Sequence, residues 1–281
     1  MKHRVAKVFI SMLPQNGISR IAGSLGRTKM SKWYVKPYAK MYDINLSEIE
    51  KPIQDYKHLT EFFSRKLKIN ARPIDNSADS IISPVDGVVS QFGRIQKGTI
   101  IQAKGIDYSV HSLLGEAKED FEEGSFVTIY LSPKDYHRIH MPLDGKITSS
   151  TYIPGRLFPV NDIGVNHVKG LFTKNERLVT YADTKAGEIA IVKVGAFIVG
   201  SVQVAYSEPY KRARKKVLKT EHPSERYKKG EEIGHFEFGS TVILIFQNGK
   251  MELDPSVKAG SAVKMGQRIG KIKGAVLKVE N

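Results

Sequence analysis

The chain contains no cysteine. That absence excludes a disulfide framework, a thiolate zinc site, an iron–sulfur cluster and a cysteine nucleophile. It also leaves the redox compartment unread. Long apolar runs are missing too. The strongest, 242–246, is five residues long, against the ~18 needed to cross a bilayer. Near the start, 8–13 is interrupted by Ser11 and falls short of the ~7–15-residue core of a secretory signal. The expectation is a chain that is neither exported nor membrane-spanning. Acid is scarce: 29 Asp and Glu face 44 Lys and Arg, a formal charge of +15. Such a balance points to an anionic partner, nucleic acid or an anionic membrane. The 41% apolar content over 281 residues suits one large domain or two modest ones and excludes wholesale disorder.

The first 42 residues carry nine Lys and Arg and no acid before Asp43. Val5, Val8, Phe9, Met12 and Leu13 fall at i, i+3, i+4, i+7 and i+8, one apolar helix face. Pro14 and Gly17 end it, and Ile18, Ile21 and Leu25 start a second pattern. The single tryptophan, Trp33, stands beside Tyr34 in the same basic stretch. Such a segment suits a helix lying in a membrane interface; an ordinary helix packed on the core with a solvated basic face fits as well. Residues 44–67 repeat apolar side chains mostly at three- and four-residue steps, with Pro52 as a break, and predict further helix.

From about residue 80 the period changes to two. Segments 81–89, 126–131, 146–153, 190–206, 236–246 and 275–279 predict strands, separated by Gly, Pro and Asp-Gly turn signals. Strand and helix do not alternate, which disfavours a parallel doubly wound sheet. The fold class expected is α+β: a basic helical N-terminal part and a mainly antiparallel β core. The basic run Lys211-Arg-Ala-Arg-Lys-Lys216 has no aromatic stacking pattern and reads as a loop near anionic lipid or solvent.

Three local constellations could carry chemistry. Gly239-Ser240 interrupts a strong β run, where glycine normally weakens a strand. It reads as a bulge or bend, or as a place where the Ser240 hydroxyl attacks the Gly239 carbonyl, which glycine crowds least. His137 and His140, three residues apart, suit metal binding, acid–base work or two unrelated loop positions. Asp86-Gly87 lies between β-type residues. It is the signal of a hairpin turn, although an Asp can also orient a histidine beside a serine.

Together with their surroundings these signals resemble the bacterial phosphatidylserine decarboxylases, which are pyruvoyl-dependent. The resemblance rests on Ser83-Pro-Val-Asp-Gly-Val-Val89, Ala103-Lys-Gly-Ile-Asp-Tyr-Ser109, Tyr130-Leu-Ser-Pro-Lys-Asp-Tyr-His-Arg-Ile-His-Met-Pro142, Leu157-Phe-Pro-Val-Asn161, Asn175-Glu-Arg177, Val194-Gly-Ala-Phe-Ile-Val-Gly-Ser201 and Lys229-Gly-Glu-Glu-Ile-Gly-His-Phe-Glu-Phe-Gly-Ser-Thr-Val242. These stretches run in the family's order. Phe238 departs from the Leu or Val usual before Gly-Ser-Thr but is apolar too. The N-terminal 45 residues match in character only.

The resemblance implies that Asp86, His140 and Ser240 form a self-processing triad. His140 would take the Ser240 proton, and Asp86 would hold the imidazole in the right tautomer. Cleavage between Gly239 and Ser240 would leave a large chain, 1–239, and a small chain, 240–281, joined as a heterodimer, with room for a dimer of such heterodimers. Ser240 would become the covalent pyruvoyl cofactor, and no metal is implied. A substrate amine would form a Schiff base with it, and phosphatidylserine would lose CO2 to give phosphatidylethanolamine. His137 is the candidate for binding the substrate carboxylate or returning a proton. The implied domains are a membrane-associating amphipathic helical segment, 1–65, and a catalytic β-rich domain, 66–281. The implied partners are phosphatidylserine and an anionic membrane surface, not nucleic acid, at the cytoplasmic face of the cell membrane as a peripheral protein.

Two other classes stay open at this point. One is a β-rich zinc metallopeptidase using His137, His140 and an Asp. The other is a non-enzymatic module of biotinyl or lipoyl type, suggested by the rhythm of Ser261-Ala-Val-Lys-Met-Gly-Gln-Arg-Ile-Gly270.

Overall fold

The run 242–246 has no alternation because its strand is covered on both faces, the arrangement in which continuous apolar sequence is expected. A computed structural model describes residues 23–103, 106–196, 202–208, 216–223, 225–237 and 240–274. The helical face at 5–13, Gly239, most of the basic run at 211–216 and the strand expected at 275–279 lie outside the described residues.

Seventeen strands are formed there: β1 Ser80–Ile82, β2 Gly87–Arg94, β3 Thr99–Ala103, β4 Ile106–Ser109, β5 Ser125–Leu131, β6 Arg138–His140, β7 Gly145–Ile153, β8 Arg177–Thr184, β9 Gly187–Gly195, β10 Val202–Val204, β11 Leu218–Glu221, β12 Arg226–Tyr227, β13 Glu232–Phe236, β14 Ser240–Phe246, β15 Met251–Leu253, β16 Ala262–Val263 and β17 Arg268–Ile272. The largest sheet runs β11-β7-β8-β9-β14-β5-β2-β16, with β12 also on β7. Two three-stranded sheets, β10-β13-β6 and β1-β17-β15, and the β3-β4 pair complete the set. All these pairings are antiparallel.

One face of the large sheet carries Val127, Ile129, Val242, Leu244, Ile189 and Ile191 into a core shared with Ile139, Ile233 and Phe236 of the smaller sheet. The opposite face carries Ile243, Ile245, Val192, Val194 and Tyr181 into a second core with Phe63, Leu113, Phe121 and Leu171. Every residue of β14 is buried. Truncating Leu244 or either of its isoleucines to alanine costs about 2–5 kcal/mol, from lost transfer energy plus the cavity.

Three expected strands divide. Segment 81–89 breaks at Ser83–Asp86, where Pro84 has no N–H to give and the Ser83 hydroxyl caps the Val85 carbonyl at 2.6 Å. Segment 190–206 becomes β9 and β10. Segment 236–246 becomes β13 and β14, and these belong to different sheets. Ser240 therefore opens a strand just past a change of sheet and does not lie in the middle of a strand.

Of the helix expected over 44–67, only Leu59–Phe63 and the 3-10 turn Ile53–Asp55 form. The rest is turns, bends and irregular chain, with Ile49 bridged to Leu67. Helices Lys29–Tyr34 (3-10) and Val35–Met41 precede it. A small third core of Val35, Ala39, Ile44, Ile49, Tyr56 and Phe62 ties this region together. No helix among the described residues is long and apolar enough to cross a membrane.

Candidate active site at the strand junction

Ser240 opens β14, paired to Leu131 on one side and Gly195 on the other. Its side chain is buried, and Oγ has no hydrogen-bond partner among the described residues. A buried hydroxyl without a partner costs about 1–3 kcal/mol, so this one invites a functional reading.

The chain reaches Ser240 from β13, and β13 is pinned to the histidine segment. Phe236 N–H donates to the His137 carbonyl at 2.9 Å. His137 sits just before β6, wholly buried, with its ring 4.0 Å from that of Phe63. Nδ1–H donates to the Asp135 carbonyl at 2.8 Å, while Nε2 has no partner among the described residues. Burial pushes the His137 pKa down to about 3, so the ring is neutral and Nε2 is a bare acceptor.

The loop beneath it is shaped by Arg65, which is buried and donates Nη2 to the carbonyls of Lys134 and Asp135 at 2.6 and 3.0 Å. Asp135 closes the turn by accepting from the Ser132 amide and hydroxyl, both at 2.7 Å.

His140 ends β6. Its backbone N–H donates to the Pro84 carbonyl at 2.9 Å, which brings the Asp86 loop alongside. Nδ1 lies 2.8 Å from the Gly230 carbonyl. A carbonyl only accepts, so Nδ1 carries the proton and Nε2 is bare. Nε2 accepts from the Tyr136 hydroxyl at 3.1 Å. Burial lowers the His140 pKa most; the Gly230 bond, Glu232 and Asp86 oppose it, and Arg138 assists it.

Asp86 is buried and its carboxylate is fully engaged. Arg72 donates from Nε to both oxygens at 2.8 and 3.0 Å and from Nη2 to Oδ2 at 2.5 Å. The Met265 amide donates to Oδ1 at 2.8 Å. Arg72 also holds Glu48 at 2.9 Å. The following residue must be glycine: a Cβ on Gly87 would lie 2.4 Å from the Tyr130 carbonyl oxygen. Asp86-Gly87 is thus the entry to β2 against β5, and the hairpin reading of this dipeptide is corrected.

Asp86 and His140 therefore share one neighbourhood, and His137 and Ser240 flank the same junction. A continuous Asp86–His140–Ser240 hydrogen-bond chain is not formed. The expectation that Asp86 holds the His140 tautomer is corrected as well: the Gly230 carbonyl does so, because Arg72 and Met265 occupy the carboxylate. Arg72, Tyr136, Gly230 and Arg65 escaped the sequence reading. Tyr136 lies inside the histidine motif and could have been noticed; nothing local marks Arg72.

Of the two histidines, His140 has its Nε2 taken by the Tyr136 hydroxyl, which leaves the His137 Nε2 as the one bare ring nitrogen of the pair. Among the described residues no three His, Asp or Glu side chains are arranged to hold a metal ion. The 261–270 rhythm supplies β16 and β17 to two different sheets, and the turn between them delivers the Met265 amide to Asp86.

A buried serine, unpartnered among the described residues, thus opens β14, and two buried histidines and a clamped aspartate lie on the elements that lead toward it. Comparison with known proteins gives the family. The sequence pattern of the family described as phosphatidylserine decarboxylase matches residues 59–271, and the chain belongs to that family. It is 48% identical over 270 residues to the phosphatidylserine decarboxylase proenzyme of Brevibacillus brevis, covering 92% of this chain and 95% of that protein. The proenzyme of the same description from Anaeromyxobacter sp. (strain K) is 43% identical, covering 94% and 98%. One from Acinetobacter baumannii is 39% identical, covering 92% and 93%.

Proposed function

We propose that the chain is a proenzyme that cuts itself between Gly239 and Ser240 and then, as the mature enzyme, decarboxylates phosphatidylserine to phosphatidylethanolamine at the cytoplasmic face of the cell membrane. The observation that carries this reading is Ser240: a buried hydroxyl without a partner, at the head of a strand, in a chain of the phosphatidylserine decarboxylase family.

Self-cleavage follows from the residues at hand. The Tyr136 hydroxyl moves off His140 Nε2, whose lone pair then takes the Ser240 Oγ proton. Oγ attacks the Gly239 carbonyl, the Gly239–Ser240 amide breaks, and an ester forms. Loss of the Ser240 Cα proton expels the Gly239 carboxylate. The dehydrated residue tautomerises and, with one water, releases ammonia. The Gly230 carbonyl and the Asp86 charge both favour the imidazolium that forms. Because β14 is paired along its length with β5 and β9, strand pairing keeps the small chain in place after the cut.

Ser240 fits the role of pyruvoyl precursor, since nothing else claims its hydroxyl. That group would supply a carbonyl electrophile able to take up the electron pair left on the α-carbon when CO2 departs. His137, neutral with a bare Nε2, takes the proton that the substrate ammonium gives up and returns it to the α-carbon.

The described N-terminal residues support contact with a bilayer. Leu25, Met30, Trp33, Tyr34 and Met41 are exposed, Trp33 by 85%, among Lys29, Lys32, Lys36 and Lys40. Exposed aromatic and apolar side chains with basic neighbours suit the interface of an anionic membrane, where each cation adds about 1 kcal/mol.

The test is a denaturing intact-mass spectrum of the wild type beside Ser240→Ala. Expected from the wild type is a 42-residue chain (281 − 239) of about 4.7 kDa by proportion of 31.4 kDa. It should be lighter than a serine-started chain by the mass of one ammonia, and the variant should stay whole. CO2 release from phosphatidylserine by the cut protein then checks the activity. A wild type that stays whole in the presence of membrane ends the self-processing reading.

A further inference from the structure

Strand β9 is apolar along its inner face except at one position, Lys193. It pairs with Val242 of β14 as Gly195 pairs with Ser240, so Lys193 and Ser240 leave the same face of the sheet on adjacent strands, diagonal neighbours about 7–8 Å apart at Cα. The same face carries Thr180 on β8 and, directly opposite it, Ser150 on β7. A polar stripe thus crosses an otherwise apolar face from Ser240 toward the half-buried His222, which meets the Ser150 hydroxyl at 2.6 Å.

Lys193 is wholly buried. Its Nζ donates to the Thr180 hydroxyl, and lies 3.3 Å from the Tyr206 hydroxyl and 3.5 Å from the Ile191 carbonyl. All three partners are neutral, and among the described residues no carboxylate pairs with it. A buried ammonium without an anion is costly, and an apolar side chain of similar volume would serve stability better. Burial alone pulls its pKa down to about 7.

We propose that Lys193, with the Thr180 and Tyr206 hydroxyls, is the binding site for the phosphodiester of the lipid headgroup. This inference rests on the function proposed above. The headgroup phosphorus lies four bonds from the amine that meets the reacting carbonyl, and Lys193 is one strand away from that carbonyl's residue. The anion missing from around Lys193 is supplied by the substrate. The other ionisable groups facing it are Tyr206 and His222. The His222 pKa is lowered by burial and by Lys193, and Glu221 and Glu225 oppose this.

The experiment compares the wild type, Lys193→Met and Lys193→Arg on two substrates: soluble dihexanoyl phosphatidylserine, and O-octylserine, which keeps the amine and carboxylate but has no phosphate. The expected result is full self-cleavage in all three by intact mass. Lys193→Met raises KM for dihexanoyl phosphatidylserine about tenfold or more with kcat little changed, the pattern of lost ground-state binding, and leaves O-octylserine turnover unaltered. Inorganic phosphate inhibits the wild type and not Lys193→Met. Wild-type KM for the phospholipid rises above about pH 7 as Lys193 loses its proton, and Lys193→Arg removes that rise.

An unchanged KM in cleaved Lys193→Met overturns the proposal, as does an equal rise for both substrates, which would place the carboxylate there. If Lys193→Met does not cleave, the pH profile of Lys193→Arg decides: a rise like that of the wild type overturns the proposal. A wild type that decarboxylates neither substrate would instead overturn the function itself.

Discussion

The Tyr136 hydroxyl donates to His140 Nε2 at 3.1 Å and so covers the one lone pair left on that ring. His140 is held neutral, with its proton on the nitrogen facing Gly230 and its other lone pair behind a single neutral hydrogen bond. Burial pushes the Tyr136 phenol well above its usual range, so Tyr136 stays a donor throughout the physiological range.

Removing that cover should speed self-cleavage. In Tyr136→Phe we expect a rate about two- to tenfold above the wild type, equivalent to the ~0.5–1.5 kcal/mol of a neutral hydrogen bond. The measurement is the time course of the 42-residue fragment after cell-free synthesis. A slower variant would make Tyr136 a proton carrier rather than a cover. His140→Ala should not cleave.

Arg72 and Asp86 form a buried pair whose side chains are each 8% exposed. Breaking it leaves the carboxylate with little beyond the Met265 amide. In a Ser240→Ala background, Arg72→Met should cost about 3–5 kcal/mol in urea unfolding, and the double variant Arg72→Met/Asp86→Leu should recover most of it. A loss below about 1 kcal/mol would mean that the clamp is not what holds Asp86.

Acid should destabilise the protein through His137. Its pKa is about 3 in the fold and about 6.5 unfolded. The unfolded chain therefore binds the proton first: stability is complete above pH 6.5 and falls as pH drops from 6.5 toward 3. The loss attributable to His137 between pH 7 and pH 5 is about 2 kcal/mol. His140 titrates in the same direction. Unfolding of Ser240→Ala with and without His137→Gln at the two pH values checks this. An equal loss in both would remove His137 as the cause.

Trp33 should anchor the protein to lipid. Replacing it by serine in Ser240→Ala should weaken co-sedimentation with anionic vesicles about tenfold or more, from the ~1.5–3 kcal/mol of a buried large apolar side chain. Added salt should weaken what remains through the lysines. Unaltered sedimentation would move the contact to another surface.

Much of this was legible along the chain. The two-residue period at 126–131 and 146–153 places β5 and β7 to within a residue, because alternation across a pleat is a local property. The Gly-Ser pair, the histidine motif and Asp86 stand out by residue type and spacing alone. Strand β8 passed unread, although Leu178, Val179 and Tyr181 are there to be seen, because its length and flanks resemble those of many half-apolar segments.

Composition and local pattern by themselves determined a basic chain without thiol chemistry, a mainly antiparallel β core and a short set of residues able to react. Tertiary structure alone decided how those residues are held. Ser240 opens its strand just past a change of sheet because β13 and β14 pair with different partners. Asp86 is bound by an amide 179 positions away, and the His140 tautomer is set by a carbonyl 90 positions away. Such partners arise from register across sheets, where two distant segments meet through backbone pairing, and no local preference of either segment encodes the meeting.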